Sequence, residues 1–289
     1  APPTSFDLDP VEHRALARRL AEESIVLLSN DGALPLDSAA ASRIAVIGPN
    51  ADSSEALMGC YSFINHVLAH HPEAPAGIEL PTVAEALRHE FPGAEITTAI
   101  GCDVEGADRS GIPAAVDAAI DADVAIVVVG DRAGLFGRGT VGEGNDVDDL
   151  ELPGVQRDLV EAVVATGTPV ILIAMTGRPY VLDWALPPRA GATGAMTGLG
   201  AVDASAAADT ETTGIPAAVL QTFFPGEEGA PALIALLSGR VAPSGRLPVS
   251  LPRSAGAQPY SYLHPVLGGR TDVTSADSTP VRPLGFGLS

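Results

Sequence analysis

The sequence has few aromatic side chains and few cysteines for its 289 residues. Aromatic residues make up 4% of the chain against 46% for hydrophobic residues in all, so Val, Ile, Leu and Ala must fill the core. Two cysteines, Cys60 and Cys102, are too few for a disulfide framework or a zinc site, and they favour two free thiols over a single bridge. The apolar runs at 124–129 and 170–174 are much shorter than the ~20 residues of a membrane-spanning helix.

Positive charge is also scarce. The chain carries 16 basic and 36 acidic side chains, which gives a formal net charge of −20. A surface of this sign repels phosphate backbones, so we expect no nucleic-acid partner, and the short apolar runs predict no membrane partner. The charge by itself indicates solubility.

Helical patterns alternate with short apolar runs along the chain. The predicted helices cover 10–28, 82–91, 112–122, a segment that begins at Pro153, and 231–237, and the predicted strands cover 43–48, 95–100, 123–130, 169–174, 217–224 and 246–251. The run at 124–129 is continuous rather than alternating, which indicates a strand buried on both faces. Such alternation predicts an α/β fold, a three-layer α/β/α sandwich around a mostly parallel sheet. A Gly- and Ala-rich stretch at 187–216 is predicted to be an inserted flexible loop.

The clearest candidate for chemistry follows the strand at 124–129. Sites in open α/β sheets gather at the carboxyl ends of strands, and this strand ends in Gly130-Asp131-Arg132. Glycines precede and follow Glu143 in the long loop beyond, so the backbone leaves room for a ligand beside one carboxylate. Arg132 and Arg138 offer hydrogen-bond donors, and Phe136 offers a stacking face for a sugar. Because residues 132–145 have few apolar anchors, we expect them to be mobile.

Other patterns support weaker alternatives. The G-x-G-x-x-G match at 137–142 lies well before the predicted helix at Pro153, so it lacks the helix N-terminus that a dinucleotide needs. An acidic stretch (Asp146, Asp148, Asp149) lacks the glycine and terminal glutamate of an EF-hand loop, and the histidines (His66, His70, His71) lack a metal-ligand spacing. We therefore predict no metal and no cofactor. For Glu227 and Glu228, helix N-terminal charge and a contact at the same edge as Glu143 both stay open.

Seven motifs, taken in order, identify a family. They are residues 21–36 (AEESIVLLSNDGALPL), 44–51 (IAVIGPNA), 142–156 (from GEGND to LPGVQ), 177–179 (GRP), 224–229 (FPGEEG), 243–252 (PSGRLPVSLP) and 283–289 (PLGFGLS). Singly each is modest, but in this order they resemble the C-terminal α/β sandwich domain of glycoside hydrolase family 3. The resemblance implies that residues 1–289 are one such domain, with 1–30 as linker and entry helix and 253–289 as an irregular tail.

The resemblance also implies a function. It suggests the second domain of a retaining, exo-acting β-glycosidase that acts on terminal β-D-glucosyl or β-D-xylosyl residues of an oligosaccharide or glycoside. In that family a (β/α)8 barrel, absent from this sequence, carries the aspartate nucleophile, and the α/β domain supplies a glutamate acid/base that Glu143 matches. Arg132, Phe136, Arg138 and Glu228 are then the expected substrate-binding residues, and the chain alone is expected to be inactive. A stand-alone sugar-binding or regulatory module without catalysis is the alternative, and a nucleotide-dependent α/β enzyme is a third hypothesis.

Overall fold

The computed structural model describes residues 9–37, 41–188, 214–257 and 279–289. Its helices α1–α5 are Val11–Ser24, Val83–Glu90, Ile112–Ile120, Gln156–Val164 and Gly229–Leu237. Its strands β1–β6 are Val26–Asn30, Arg43–Ile47, Glu95–Ala99, Val124–Gly130, Val170–Met175 and Ala218–Gln221. Most of the predicted loop at 187–216, and much of the predicted tail, lie outside the described residues.

The six strands form one sheet in the order β1-β6-β5-β4-β2-β3. Strands β6, β5, β4, β2 and β3 pair in parallel, and β1 is antiparallel to β6. Strand β4 lies inside the sheet between β5 and β2, and all seven of its residues are buried. The predictions of a mostly parallel sheet and of a central strand at 124–129 are confirmed. Parallel strands end together, so the loops after β2, β4, β5 and β6 meet at one edge.

Helices cover both faces of the sheet. Alternate residues of each strand point to opposite faces, so β4 contributes Ile126 to one core and Val127 to the other. The first core includes side chains from α1, α2 and α5 (Ala21, Val83, Leu87, Leu233), and the second includes side chains from α3 and α4 (Ala115, Ala119, Leu159, Val163). This arrangement confirms the three-layer α/β/α sandwich.

Three sequence predictions need correction. The helix predicted over 10–28 ends at Ser24, because the apolar residues that follow form β1 and pair with β6 in the sheet. The strand predicted at 246–251 is not formed; Pro248 has no amide hydrogen for a ladder, and a single bridge joins Leu251 to Arg282. Helix α4 begins at Gln156 rather than at Pro153.

Candidate active site

The end of β4 is fixed by a buried glutamine. Gly130 has a φ of +145°, and a Cβ there would lie 1.9 Å from the Met175 carbonyl oxygen, so glycine is required where the two strands approach. The Gln156 side chain accepts a hydrogen bond from the Gly130 amide (2.7 Å) and donates to its carbonyl (2.8 Å). Gln156, the last residue of the LPGVQ motif, therefore hydrogen-bonds both main-chain groups of Gly130, where β4 ends and the candidate loop begins.

The glycine-rich loop after β4 is tied together by main-chain hydrogen bonds. Amides on one side donate to carbonyls on the other: Thr140 to Arg132 (2.8 Å), Gly134 to Val141 (2.9 Å) and Phe136 to Glu143 (2.8 Å). The Asn145 side chain also donates to the carbonyls of Gly134 (3.1 Å) and Arg138 (3.2 Å). This bonding counts against the expectation that residues 132–145 are mobile. The loop has few apolar anchors, but these hydrogen bonds hold it together, and the sequence did not indicate them.

Glu143 presents its carboxylate on the outside of this loop. Its neighbours Gly142 and Gly144 have φ angles of +124° and +78°, which favour glycine. The residue is exposed, and one carboxylate oxygen accepts a hydrogen bond from the Tyr61 hydroxyl. That hydrogen bond, with a smaller contribution from desolvation, raises the pKa of the Tyr61 phenol. The acid group predicted from the sequence is thus open to solvent and held by one phenol donor.

The segment that carries Tyr61 contacts the loop through small side chains. A Cβ on Gly142 would lie 1.9 Å from the Gly134 carbonyl oxygen and 2.9 Å from the Cys60 Cβ, so only glycine permits this approach. Both cysteines are free, as expected. Burial raises the pKa of the Cys102 thiol to about 11, so this group is a neutral side chain of the second core. No chemical signal in the sequence marks Tyr61, because its contact with Glu143 is set by the fold.

Phe136 has an unusual backbone. Its φ is +55°, a region that residues other than glycine rarely adopt and that is often found at functional sites. The hydrogen bond from its amide to the Glu143 carbonyl holds it there, and its side chain is 74% exposed. An exposed ring beside the main chain of Glu143 is consistent with the predicted stacking face.

The other predicted binding residues have different surroundings. Arg132 is exposed, with its main chain in the loop hydrogen bonds, and Arg138 donates from Nη1 to the Ala69 carbonyl (3.3 Å). Glu228 is largely buried and accepts from Arg14 Nε (2.8 Å) and Arg18 Nη1 (3.3 Å), both on α1. The structure thus brings Arg132, Phe136 and Arg138 onto the loop of Glu143, whereas Glu228 is paired with arginines. Their roles toward a substrate stay predictions.

One buried carboxylate was not predicted from the sequence to be part of the site. Asp131 directly follows β4 and is fully buried. Its Oδ1 accepts from the hydroxyls of Tyr180 (2.6 Å) and Thr140 (2.7 Å), and its Oδ2 accepts from the Gly177 amide (2.8 Å). Burial, followed by the charge of Asp131, raises the pKa of the Tyr180 phenol well above its usual value. The sequence did contain a signal for this site: a single acidic residue at the end of a wholly apolar strand. A carboxylate buried at such a position must be hydrogen-bonded.

The described residues contain no group of three or more His, Cys, Asp or Glu side chains arranged to hold a metal. His71 Nδ1 lies 3.3 Å from a Glu73 carboxylate oxygen.

Across residues 9–37, 41–188, 214–257 and 279–289, none of the helices combines the length and the apolar character that a membrane span requires.

The fold and the loop define an α/β domain with an exposed glutamate at the carboxyl edge of a parallel sheet. The model of the glycosyl hydrolase family 3 C-terminal domain matches residues 25–213 and 211–289. The chain therefore belongs to glycoside hydrolase family 3 and corresponds to its C-terminal domain.

Known proteins similar to this chain are glycosidases. A β-xylosidase from Formosa agariphila is 32% identical over all of this chain and 36% of its own length. A periplasmic β-glucosidase from Salmonella typhimurium is 32% identical over 97% of this chain and 36% of its own length. Among solved structures, a β-glucosidase of saponin metabolism from intestinal bacteria superposes with a TM-score of 0.78 at 27% identity, covering 96% of this chain and 38% of that one. The chain thus spans little more than a third of these relatives.

Proposed function

We propose that this chain is the second domain of a retaining, exo-acting β-glycosidase and that Glu143 is the acid/base of the reaction. The observation that carries the proposal is the exposed Glu143 carboxylate on a hydrogen-bonded glycine loop at the carboxyl edge of the sheet. The relatives are named for β-xyloside and β-glucoside hydrolysis, which supports terminal β-D-xylosyl or β-D-glucosyl residues as the substrate groups.

The proposed reaction needs two carboxyl groups about 5–5.5 Å apart across the glycosidic bond. One attacks the anomeric carbon, and the other protonates the leaving oxygen and then takes a proton from the attacking water. Glu143 performs the second role, and the Tyr61 hydroxyl orients its carboxylate. Phe136 stacks on a sugar ring, and Arg132 and Arg138 donate hydrogen bonds to sugar hydroxyls.

The nucleophile comes from a different domain in this proposal. The chain spans 36% of its curated relatives, which leaves room in such enzymes for a further large domain. We assign the aspartate nucleophile to a (β/α)8 barrel domain, as the family resemblance implies. Glu228, already bound by two arginines, is the least supported of the proposed sugar contacts.

The test is Glu143→Ala in the enzyme that contains both domains. General acid catalysis contributes about 10²–10⁴-fold, so we expect a loss of that size in kcat/KM with alkyl or sugar leaving groups. The loss should be much smaller with a dinitrophenyl glycoside, whose phenolate leaves without a proton. The glycosyl-enzyme should then accumulate, and azide, which needs no base, should restore turnover and give a β-glycosyl azide. Asp146→Ala, an exposed acid near Glu143 in the sequence, is the matched control and should behave as wild type.

Two outcomes would count against the proposal. An equal loss with every leaving group, without azide rescue, would remove Glu143 from the acid/base role, and Glu227 and Glu228 would be tested next. Sugar binding without turnover by the two-domain protein would favour a non-catalytic sugar-binding or regulatory module.

A further inference from the structure

One arginine binds the main chain on both sides of Glu143. Arg178 follows β5, in the GRP motif, and its Nη1 donates to the Thr140 carbonyl at 2.6 Å. Its Nη2 donates to the Asn145 carbonyl. Thr140 and Asn145 flank Glu143 in the sequence, so a single planar guanidinium spans the stretch that carries the carboxylate. A guanidinium presents several N–H groups in a fixed fork, which suits it to hold two acceptors at a set separation.

A buried network fixes the position of Arg178. The Tyr180 hydroxyl accepts from Arg178 Nη1 at 3.3 Å and donates its own proton to Asp131 at 2.6 Å. Asp131 also accepts from the Thr140 hydroxyl and from the Gly177 amide. The same carboxylate therefore holds both the loop at Thr140 and the turn at 177–180.

The acid and the phenol of this network are shielded from solvent. Asp131 is fully buried and Tyr180 is 1% exposed, whereas Arg178, which donates to the Tyr180 hydroxyl, is partly exposed. Buried polar networks whose members are all hydrogen-bonded are rigid, because breaking one bond leaves a costly unpaired group. Since these bonds end on loop carbonyls around Glu143, they fix the loop as well as the core.

We propose that Asp131, Tyr180 and Arg178 are positioning residues that hold the Glu143 loop in the geometry that proton transfer requires. This inference rests on the proposed acid/base role of Glu143. A general acid must lie within hydrogen-bond reach of the oxygen that it protonates. A misplacement of ~1 Å can cost about 10²-fold in rate, so loosening the loop should affect proton transfer first.

The first test measures the loop without any activity. In Arg178→Lys, a single ammonium replaces the fork and cannot hold both carbonyls in the same way. Hydrogen exchange of the 289-residue chain should become about tenfold faster or more at the loop amides (Gly134, Phe136, Thr140, Val141, Asn145) and stay unchanged in β4 and β5. Arg240→Lys is the matched control, because Arg240 pairs with Glu90 on the surface and should leave the loop amides unaffected.

The second test measures leaving-group dependence in the two-domain enzyme. Tyr180→Phe removes one hydroxyl and keeps the ring, so it tests the network if Arg178→Lys does not fold. For both variants we expect kcat/KM to fall by about 10²-fold with alkyl or sugar leaving groups and far less with dinitrophenyl glycosides. A purely structural role would instead lower the amount of folded enzyme and reduce all rates by the same factor.

The outcomes separate this inference from the proposed function. Faster loop exchange together with a leaving-group-dependent loss supports the positioning role. Unchanged loop exchange in the folded variants overturns it, as does a uniform loss when Glu143→Ala shows the leaving-group dependence. If Glu143→Ala shows no such dependence, the acid/base role fails, and the positioning role toward catalysis fails with it, whereas the exchange data still show whether Arg178 holds the loop.

Discussion

At the scale of single residues, the site combines one exposed acid with one phenol. Glycines on both sides of Glu143 singled out this carboxylate in the sequence, because they leave open backbone beside it, and its catalytic role stays a prediction. Tyr61 was not recognisable, because 82 residues separate the two partners. Their hydrogen bond has a measurable consequence, since it couples the titration of the phenol to the presence of the carboxylate.

Glu143→Ala should lower the pKa of Tyr61 toward its ordinary value of 10.0. The carboxylate accepts the phenolic proton and thereby stabilises the neutral phenol, and its negative charge disfavours the phenolate. Both effects raise the pKa of Tyr61, so removing the carboxylate must lower it. A ¹³C NMR titration of the tyrosine rings, assigned with Tyr61→Phe, measures the change in the 289-residue chain. Asp146→Ala should leave the Tyr61 titration unaltered, and an unaltered titration in Glu143→Ala would show that the contact does not form in solution.

At the scale of secondary-structure elements, local patterns predicted the parallel sheet and failed where long-range pairing decides the structure. Strands β2, β4, β5 and β6 were foreseen because buried parallel strands are nearly continuous in apolar residues, and β3 was foreseen although it is a mostly exposed edge strand. Strand β1 was mistaken for helix, because Leu27 keeps a helical spacing from Leu20 while the strand's partner, β6, is almost 200 residues away. The Asp131 network was missed for the same reason: its members belong to three separate segments.

The pairing of helices α1 and α5 gives a prediction for Glu228. Glu228→Gln should lower the free energy of unfolding by about 1.5–3 kcal/mol, because the carboxylate makes charged hydrogen bonds to Arg14 and Arg18 and its side chain is only 11% exposed. The measurement is urea unfolding of the 289-residue chain. Glu23→Gln is the control; it removes an exposed i,i+4 pair with Arg19 and should cost far less, because exposed ion pairs contribute little to stability. Unchanged stability combined with a raised KM in the two-domain enzyme would instead favour the substrate-binding role.

At the scale of the whole molecule, the two cores lie on opposite faces of one sheet and share all of their central strands. Nothing in this arrangement requires a second domain for folding, because the strands inside the sheet are covered on both faces by the chain's own helices. The proposed chemistry does require a second domain, since a retaining glycosidase needs a nucleophile as well as an acid/base. We therefore expect this chain to fold on its own but to lack glycosidase activity without the second domain.

The 289-residue chain alone should unfold in a single cooperative transition and yet hydrolyse no aryl β-glucoside or β-xyloside. A dinitrophenyl glycoside is the most demanding substrate for this prediction, because its leaving group needs no acid and its hydrolysis depends on the nucleophile. Product release should therefore match the buffer rate for the chain and for its Glu143→Ala variant alike, with the two-domain enzyme as the positive control. Circular dichroism and urea unfolding must first show that the chain is folded. Turnover by the folded chain that disappears in Glu143→Ala would contradict the prediction, because it would mean that the residues of this chain supply both carboxyl groups.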